Sequence, residues 1–187
     1  ALGEQLAAMH QHTTEAFGFR VNNTIGSTPQ DNTPDTDWIR YWQQRRLADQ
    51  LELAGRNACG NALLTRGELL IEKVPAFFTD YRPRPSLLHG DLWSGNYSYT
   101  SDGQPIIFDP ATYYGDREAD IAMTELFGGF GAEFYAAYNS AWPLDAGYKI
   151  RKTLYNLYHI INHFNLFGGG YLGQAESMAS RLLSEVS

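Results

Sequence analysis

The sequence predicts a mainly α domain that carries one small β-hairpin. Three observations predict it. Apolar residues recur at helical spacing through most of the chain, as with Trp38, Trp42, Leu47, Leu51 and Ala54. The pattern changes between Tyr97 and Phe108, where two short β-type runs flank Ser101-Asp102-Gly103, a composition suited to a hairpin turn. Beyond Gly115 it is helical again, broken by Gly168-Gly169-Gly170.

Taken in order, residues 2 to about 13 read as an amphipathic helix with Leu2, Leu6 and Met9 on one face. Phe17 to Thr36 is rich in Asn, Thr, Gly and Pro, too polar for a core element and too long for a routine connection. A helix is predicted from Asp37 to about Ala58, and a further helical stretch from about Leu63 to Tyr81, restarted at Pro75. Pro83 and Pro85 then impose an extended approach to Leu87-Leu88. Strands are predicted at Tyr97 to Tyr99 and Pro105 to Phe108. Helices follow at about 118–128, 131–141, 147–166 and 173–185.

Composition narrows the functional classes. The 187 residues fit one domain, and 43% hydrophobic with 14% aromatic residues suffices for a packed core. No apolar run reaches the roughly 18 residues that span a bilayer. Residues 1–10 lack the pattern of a signal peptide. Cys59 is the single cysteine, so no internal disulfide can form, which suits a reducing cytosol. The expectation is a cytoplasmic protein without membrane association. A net charge of −7 argues against a nucleic-acid partner, although a divalent cation can reconcile carboxylates with a nucleotide's phosphates. The apolar face at Leu2, Leu6 and Met9 has no cap or polar leader before it, which reads as a cut through a longer protein.

The chemistry concentrates between His89 and Asp109. This segment fits H-x-D-x-x-x-x-N, then a hairpin, then an Asp closing the second strand. Phosphoryl transfer from ATP has a use for each part. A carboxylate must align the acceptor hydroxyl and take its proton, a role suited to Asp91. Asn96 and Asp109 offer hard oxygen ligands for Mg²⁺ bound to the triphosphate. Gly90, Ser94 and Gly95 leave room for a tight loop. The plain alternative is that His89, Asp91, Asn96 and Asp109 merely cap turns.

His89-Gly90-Asp91-Leu92-Trp93-Ser94-Gly95-Asn96 resembles the catalytic loop of the aminoglycoside phosphotransferase-like kinases, and Trp after Asp-Leu resembles the fructosamine (ketosamine) kinase family. Asn23 to Gln30, Arg45-Arg46-Leu47, Asp109-Pro110-Ala111 and Tyr113 to Met123 extend the likeness over nearly the whole chain. The resemblance implies the C-terminal lobe of a protein-kinase-like fold that uses ATP and Mg²⁺ to phosphorylate the sugar 3-hydroxyl of a ketosamine, leading to deglycation. It implies Asp91 as catalytic base, His89 bracing the loop, and Asn96 and Asp109 as magnesium ligands. It also implies Trp93 as a wall for the sugar or its amine substituent, with a core tryptophan as the alternative. Asp120 resembles an acidic residue that supports the loop from below, or is an ordinary helix-start carboxylate. Asp116, Arg117 and Glu118 are expected near the substrate entrance, where Asp116 and Glu118 could meet a cationic or polyol substrate or remain solvated.

The small β-rich lobe of a kinase, with its glycine-rich loop and paired lysine, is not legible before His89. The expectation is therefore a single-domain fragment, residues 1–187, lacking its N-terminal β lobe and inactive alone. Two other readings stay open: a related kinase for an aminoglycoside or choline-like alcohol, and a truncated noncatalytic kinase-like binding module. His159 and His163 are four apart on a helix, but without an acidic partner they read as packing rather than metal ligation. His10 and His12 do not face each other. Cys59 reads as a small apolar residue.

Overall fold

The computed structural model describes residues 1–186. The first helix, α1, spans Leu2–His10 and buries Gly3, Leu6, Ala7 and His10.

Residues 17–36 depart from the expected unsupported polar loop. Within them β1 (Asn23–Ile25) and β2 (Thr28–Gln30) pair antiparallel across a turn at Gly26, whose φ is 57°. Thr28, Gln30 and Asn32 are buried despite their polarity. Side-chain amides make this possible. Asn23 Nδ2 donates to the Thr112 carbonyl at 2.8 Å, and Gln30 Nε2 donates to the Ala111 carbonyl at 3.1 Å and to Asn23 Oδ1 at 2.9 Å. A polar segment is thus stitched to the chain just after Asp109. Composition mistakes such a segment for a solvated one, because a buried amide with partners costs little.

The predicted helix from Asp37 runs as α2 (Trp38–Trp42), a π-helical stretch (Gln43–Ala48) and α3 (Asp49–Arg56). Asp37 caps it, accepting from the Ile39 and Arg40 amides at 2.9 and 3.2 Å. Arg46 enters the core within the π-helical stretch. Its guanidinium lies 4.8 Å from the Tyr41 ring centroid and 4.2 Å from that of Tyr113. It donates to the Asp31 and Arg45 carbonyls, Asn32 Oδ1 and the Tyr41 hydroxyl, and to no carboxylate. Wider turns of this kind are frequent at functional sites.

Next come α4 (Asn61–Lys73) and a 3₁₀ turn (Val74–Phe78) with Pro75 in its first turn, as the restart at that residue predicts. β3 (Ser86–Leu88), β4 (Tyr97–Tyr99), β5 (Pro105–Ile107) and β6 (Tyr113–Gly115) follow. The chain ends in α5 (Arg117–Leu126), α6 (Ala132–Ala141), α7 (Tyr148–Phe167) and α8 (Tyr171–Glu185). α7 is the central helix. It packs against α3, α5 and α8, while α8 also lies on α4 and α1 on α6. Gly3 permits the α1–α6 contact, since a Cβ there would come 2.4 Å from the Phe134 carbonyl. The fold is mainly α, as predicted, but among the described residues it has three two-stranded antiparallel sheets rather than one hairpin. The unanticipated β3–β6 pair escapes sequence reading because its three-residue strands are far apart in the chain and carry no alternating pattern. Among the described residues no helix is long and apolar enough to cross a membrane.

Candidate active site

The β3–β6 pair delivers the central loop. β3 ends at Leu88 and feeds directly into His89, while β6 ends at Gly115 and feeds into α5. Gly90 turns the chain with φ 84°, and a Cβ there would lie 2.1 Å from the Ala111 carbonyl oxygen. Gly90→Ala is therefore expected to lower stability by at least about 1–3 kcal/mol from backbone strain alone. A urea-unfolding midpoint equal to that of the unaltered chain would contradict the close approach.

Asp120, in the first turn of α5, holds this loop from below. Its Oδ2 accepts from the His89 amide at 2.7 Å and its Oδ1 from the Gly90 amide at 2.8 Å. His10 of α1 donates to Oδ2 through Nε2 at 3.1 Å. The Tyr138 hydroxyl donates to His10 Nδ1 at 2.7 Å and accepts from Arg117 Nη1 at 3.2 Å. Burial pushes the Asp120 carboxyl toward neutrality, but the His10 contact, the positive potential of both histidines and the Gly90 amide outweigh it. Its pKa falls below the ordinary value. The supporting role suggested by resemblance is what the hydrogen bonds make.

His89 is braced on both ring nitrogens. Nε2 donates to the Phe108 carbonyl at 2.9 Å, and Nδ1 accepts the Asp91 amide at 3.2 Å. The Asp91, Asn96 and Asp109 backbones then converge. Asn96 donates through Nδ2 to the Asp91 carbonyl at 2.9 Å and the Asp109 carbonyl at 3.5 Å. The predicted hairpin, β4 paired with β5, leaves the loop at Asn96 and returns at Phe108, whose amide donates to the Asn96 carbonyl at 3.1 Å. Asp109 sits on the left-handed side of the backbone map with φ 56°, a conformation few non-glycine residues adopt. Neither the Asp109 carboxylate nor Asn96 Oδ1 hydrogen-bonds to protein among the described residues. Two hard oxygen groups without protein partners among the described residues, at the two ends of one hairpin, fit a magnesium ion.

Among the described residues the Asp91 carboxylate likewise has no hydrogen-bond donor. Burial, then the like charges of Asp109 and Asp120, push its pKa up to about 6. His159 Nδ1 of α7 lies 3.9 Å from its Oδ1.

The other predicted residues separate. Trp93 is 38% exposed and stands edge-on to Phe127 at 6.3 Å, so it is not a core residue. Gly95 clears space for its indole, since a Cβ there would meet the ring at 2.3 Å. Asp116 and Glu118, expected at a substrate entrance or in solvent, lie instead in the interior with no exposure. Asp116 caps α5 and accepts from Tyr81 (2.9 Å) and Tyr155 (2.5 Å). Glu118 accepts two hydrogen bonds from Arg151, at 2.7 and 3.0 Å. Burial, followed by the charge of Asp116, raises the Glu118 pKa to about 7. Both carboxylates are consumed by protein partners, because a buried charge persists only when paired. Arg117 is also buried, stacked 4.0 Å from the Trp142 ring centroid.

Sequence reasoning named His10 and His159 but foresaw neither the contact of His10 with Asp120 nor the approach of His159 to Asp91. Their signal was position on a helix face that turns inward, but a buried histidine at a helical spacing is indistinguishable from a packing residue until its partner is known.

The chain matches the family model described as fructosamine kinase over residues 1–185. A protein named "Probable ketoamine kinase" from Synechocystis sp. is 52% identical over 183 residues, 97% of this chain and 61% of that protein. A chloroplastic protein-ribulosamine 3-kinase of Arabidopsis thaliana is 48% identical over 179 residues, 95% of this chain and 55% of that protein. A crystal structure described as a candidate fructosamine-3-kinase, from Thermobifida fusca YX-ER1, superposes with a TM-score of 0.91 at 33% identity. It covers 98% of this chain and 64% of that one. The chain thus spans about three fifths of the length of the relatives it matches.

Proposed function

Because the chain belongs to the fructosamine kinase family, we propose that it supplies the catalytic base and the cation-holding residues of an ATP-dependent kinase acting on ketosamines. The observation that carries this reading is the Asp91 carboxylate, largely buried, without a protein hydrogen-bond donor, on a loop tied through Asn96 to Asp109. In this reading the sugar 3-hydroxyl donates to Asp91. As its oxygen bonds to the γ-phosphorus, its proton passes to Asp91 and the bond to the β-phosphate oxygen breaks, releasing ADP. Asn96 Oδ1 and the Asp109 carboxylate would hold magnesium, whose contribution is to neutralise charge developing on the phosphate oxygens. His89 acts by holding the loop.

The names of the relatives, ketoamine kinase and protein-ribulosamine 3-kinase, support a glycated amine as acceptor. Exposed Trp93 suits the sugar or the amine substituent. Trp93→Ala is expected to leave thermal stability within about 0.5 kcal/mol and to weaken ketosamine binding about 3–10-fold, read by calorimetric titration. The glycine-rich phosphate loop and paired lysine belong, in this proposal, to an N-terminal lobe of the same protein outside these 187 residues. The cytoplasm is the proposed compartment, on the single buried Cys59, although the Arabidopsis relative is named chloroplastic.

The test is ³¹P NMR of MgATP and a fructosyl-amine with the full-length protein, with residues 1–187 alone run alongside. Phosphorylation at the sugar 3-hydroxyl by the full-length protein, with little turnover by the shorter chain, is expected. Turnover confined to aminoglycosides or choline, or none on any alcohol, would overturn the proposal.

A further inference from the structure

α7 passes directly behind the central loop and presents His159 to it. The imidazole is 4% exposed, and its Nδ1 is buried without a hydrogen-bond partner. Asp91 Oδ1, 3.9 Å away, belongs to a carboxylate with no donor of its own. A buried, unpaired ring nitrogen therefore faces a partly exposed carboxylate, about 1 Å beyond hydrogen-bond length. Leaving the nitrogen unsatisfied is costly, and catalytic contacts of this length commonly tighten once the reacting groups are in place.

The charge state of the ring limits what it can do. Burial, then His163, lower the His159 pKa to about 3; Asp120 opposes the shift, and Arg46 adds a smaller lowering. Asp109 and Asp120 face Asp91 from the end of β5 and from α5, and Tyr158 adjoins His159 on α7. A neutral imidazole carries one N–H. A lone pair on Nδ1 would point electron density at a carboxylate, whereas Nδ1–H would point a donor at it. His163 Nδ1 donates to the His159 backbone carbonyl at 2.7 Å, and the Tyr158 ring stands edge-on to the imidazole at 5.1 Å.

We propose that His159 is the positioning residue for Asp91: its Nδ1–H engages Oδ1 and holds the carboxylate with its second oxygen turned to the acceptor hydroxyl. The inference rests on the reading of Asp91 as the acceptor base, and it adds a residue that acts through that base without touching the transferred phosphoryl group. α7 thereby becomes part of the catalytic framework as well as the core.

Two measurements test it. In two-bond ¹H–¹⁵N spectra of histidine-labelled protein, His159 is expected as the neutral Nδ1–H tautomer, and the Nε2–H tautomer would overturn the proposal. In steady-state kinetics of the full-length protein with a ketosamine, His159→Leu is expected to lower kcat about 10–100-fold while KM for MgATP stays within about twofold. His159→Asn keeps an N–H donor on a shorter arm and should recover most of the loss. Equal loss in both variants would reduce His159 to a packing residue. Turnover lost in Asp91→Asn but unmoved in His159→Leu would overturn this inference alone, whereas turnover surviving Asp91→Asn would overturn the reading beneath it as well.

Discussion

Replacing Asp91 with asparagine is expected to lower phosphoryl transfer by about 10²–10⁴-fold, the range associated with loss of a general base. An amide cannot accept the hydroxyl proton, yet it has nearly the shape of the carboxylate. Among the described residues no donor lies within hydrogen-bond distance of the Asp91 carboxylate, and the like charges of Asp109 and Asp120 press on it. Removing its charge should therefore leave the melting temperature unchanged or raise it slightly. Loss of turnover without loss of stability separates a chemical role from a structural one. A variant that melts early and fails for that reason would contradict this account of the site.

The second large effect is structural. Asp120→Ala removes the acceptor for three buried donors, the amides of His89 and Gly90 and the Nε2 of His10. Three stranded donors at about 1–3 kcal/mol each amount to about 3–9 kcal/mol, and breaking a buried charged contact costs about 3–5 kcal/mol, so a loss of at least about 3 kcal/mol is expected. That is a large share of the 5–15 kcal/mol typical of a folded domain. Chemical unfolding measures the loss, and hydrogen exchange at the His89 and Gly90 amides locates it. The pH dependence follows from the sign of the shift. The Asp120 pKa is lowered by folding, so its stabilisation is complete above the unfolded value of about 3.9 and is lost as pH falls below it. Asp120→Ala should accordingly flatten the acid limb of the stability curve. An unchanged acid limb would mean that the carboxylate is not held as described.

Much of the fold was legible because helices of ten or more residues repeat their apolar positions often enough to be seen, as in α5 to α8. The β4–β5 hairpin was legible through Ser101-Asp102-Gly103, where turn chemistry is local. The β3–β6 pair was not, since three-residue strands joined through a distant loop leave no period. The hairpin at Asn23 to Gln30 was hidden for a different reason: its buried side chains are amides, and composition counts amides as surface.

For the site, the approach of the Asp91, Asn96 and Asp109 backbones could be anticipated from spacing, because a hairpin joins Asn96 to Phe108 and returns the chain beside its starting point. Asp116 and Glu118 could not be assigned the same way. Their burial depends on Tyr81, Tyr155 and Arg151, partners supplied by other elements. His159 escaped for the same reason, since its meaning lies in a loop far from it in sequence.

Arg46 has a consequence for the electrical character of the whole interior. A guanidinium keeps its proton across the physiological range, and this one is wrapped in carbonyl dipoles and phenol faces instead of being cancelled by an anion. It lowers the pKa values of Tyr41, Tyr113 and Tyr158 against the upward pull of their burial, and that of His159 along with burial. In a molecule of net negative charge it is a permanent source of positive potential that neither buffer nor ligand can switch off. The polarity beneath the central loop is thereby set by architecture, while titration governs only the groups at its edge.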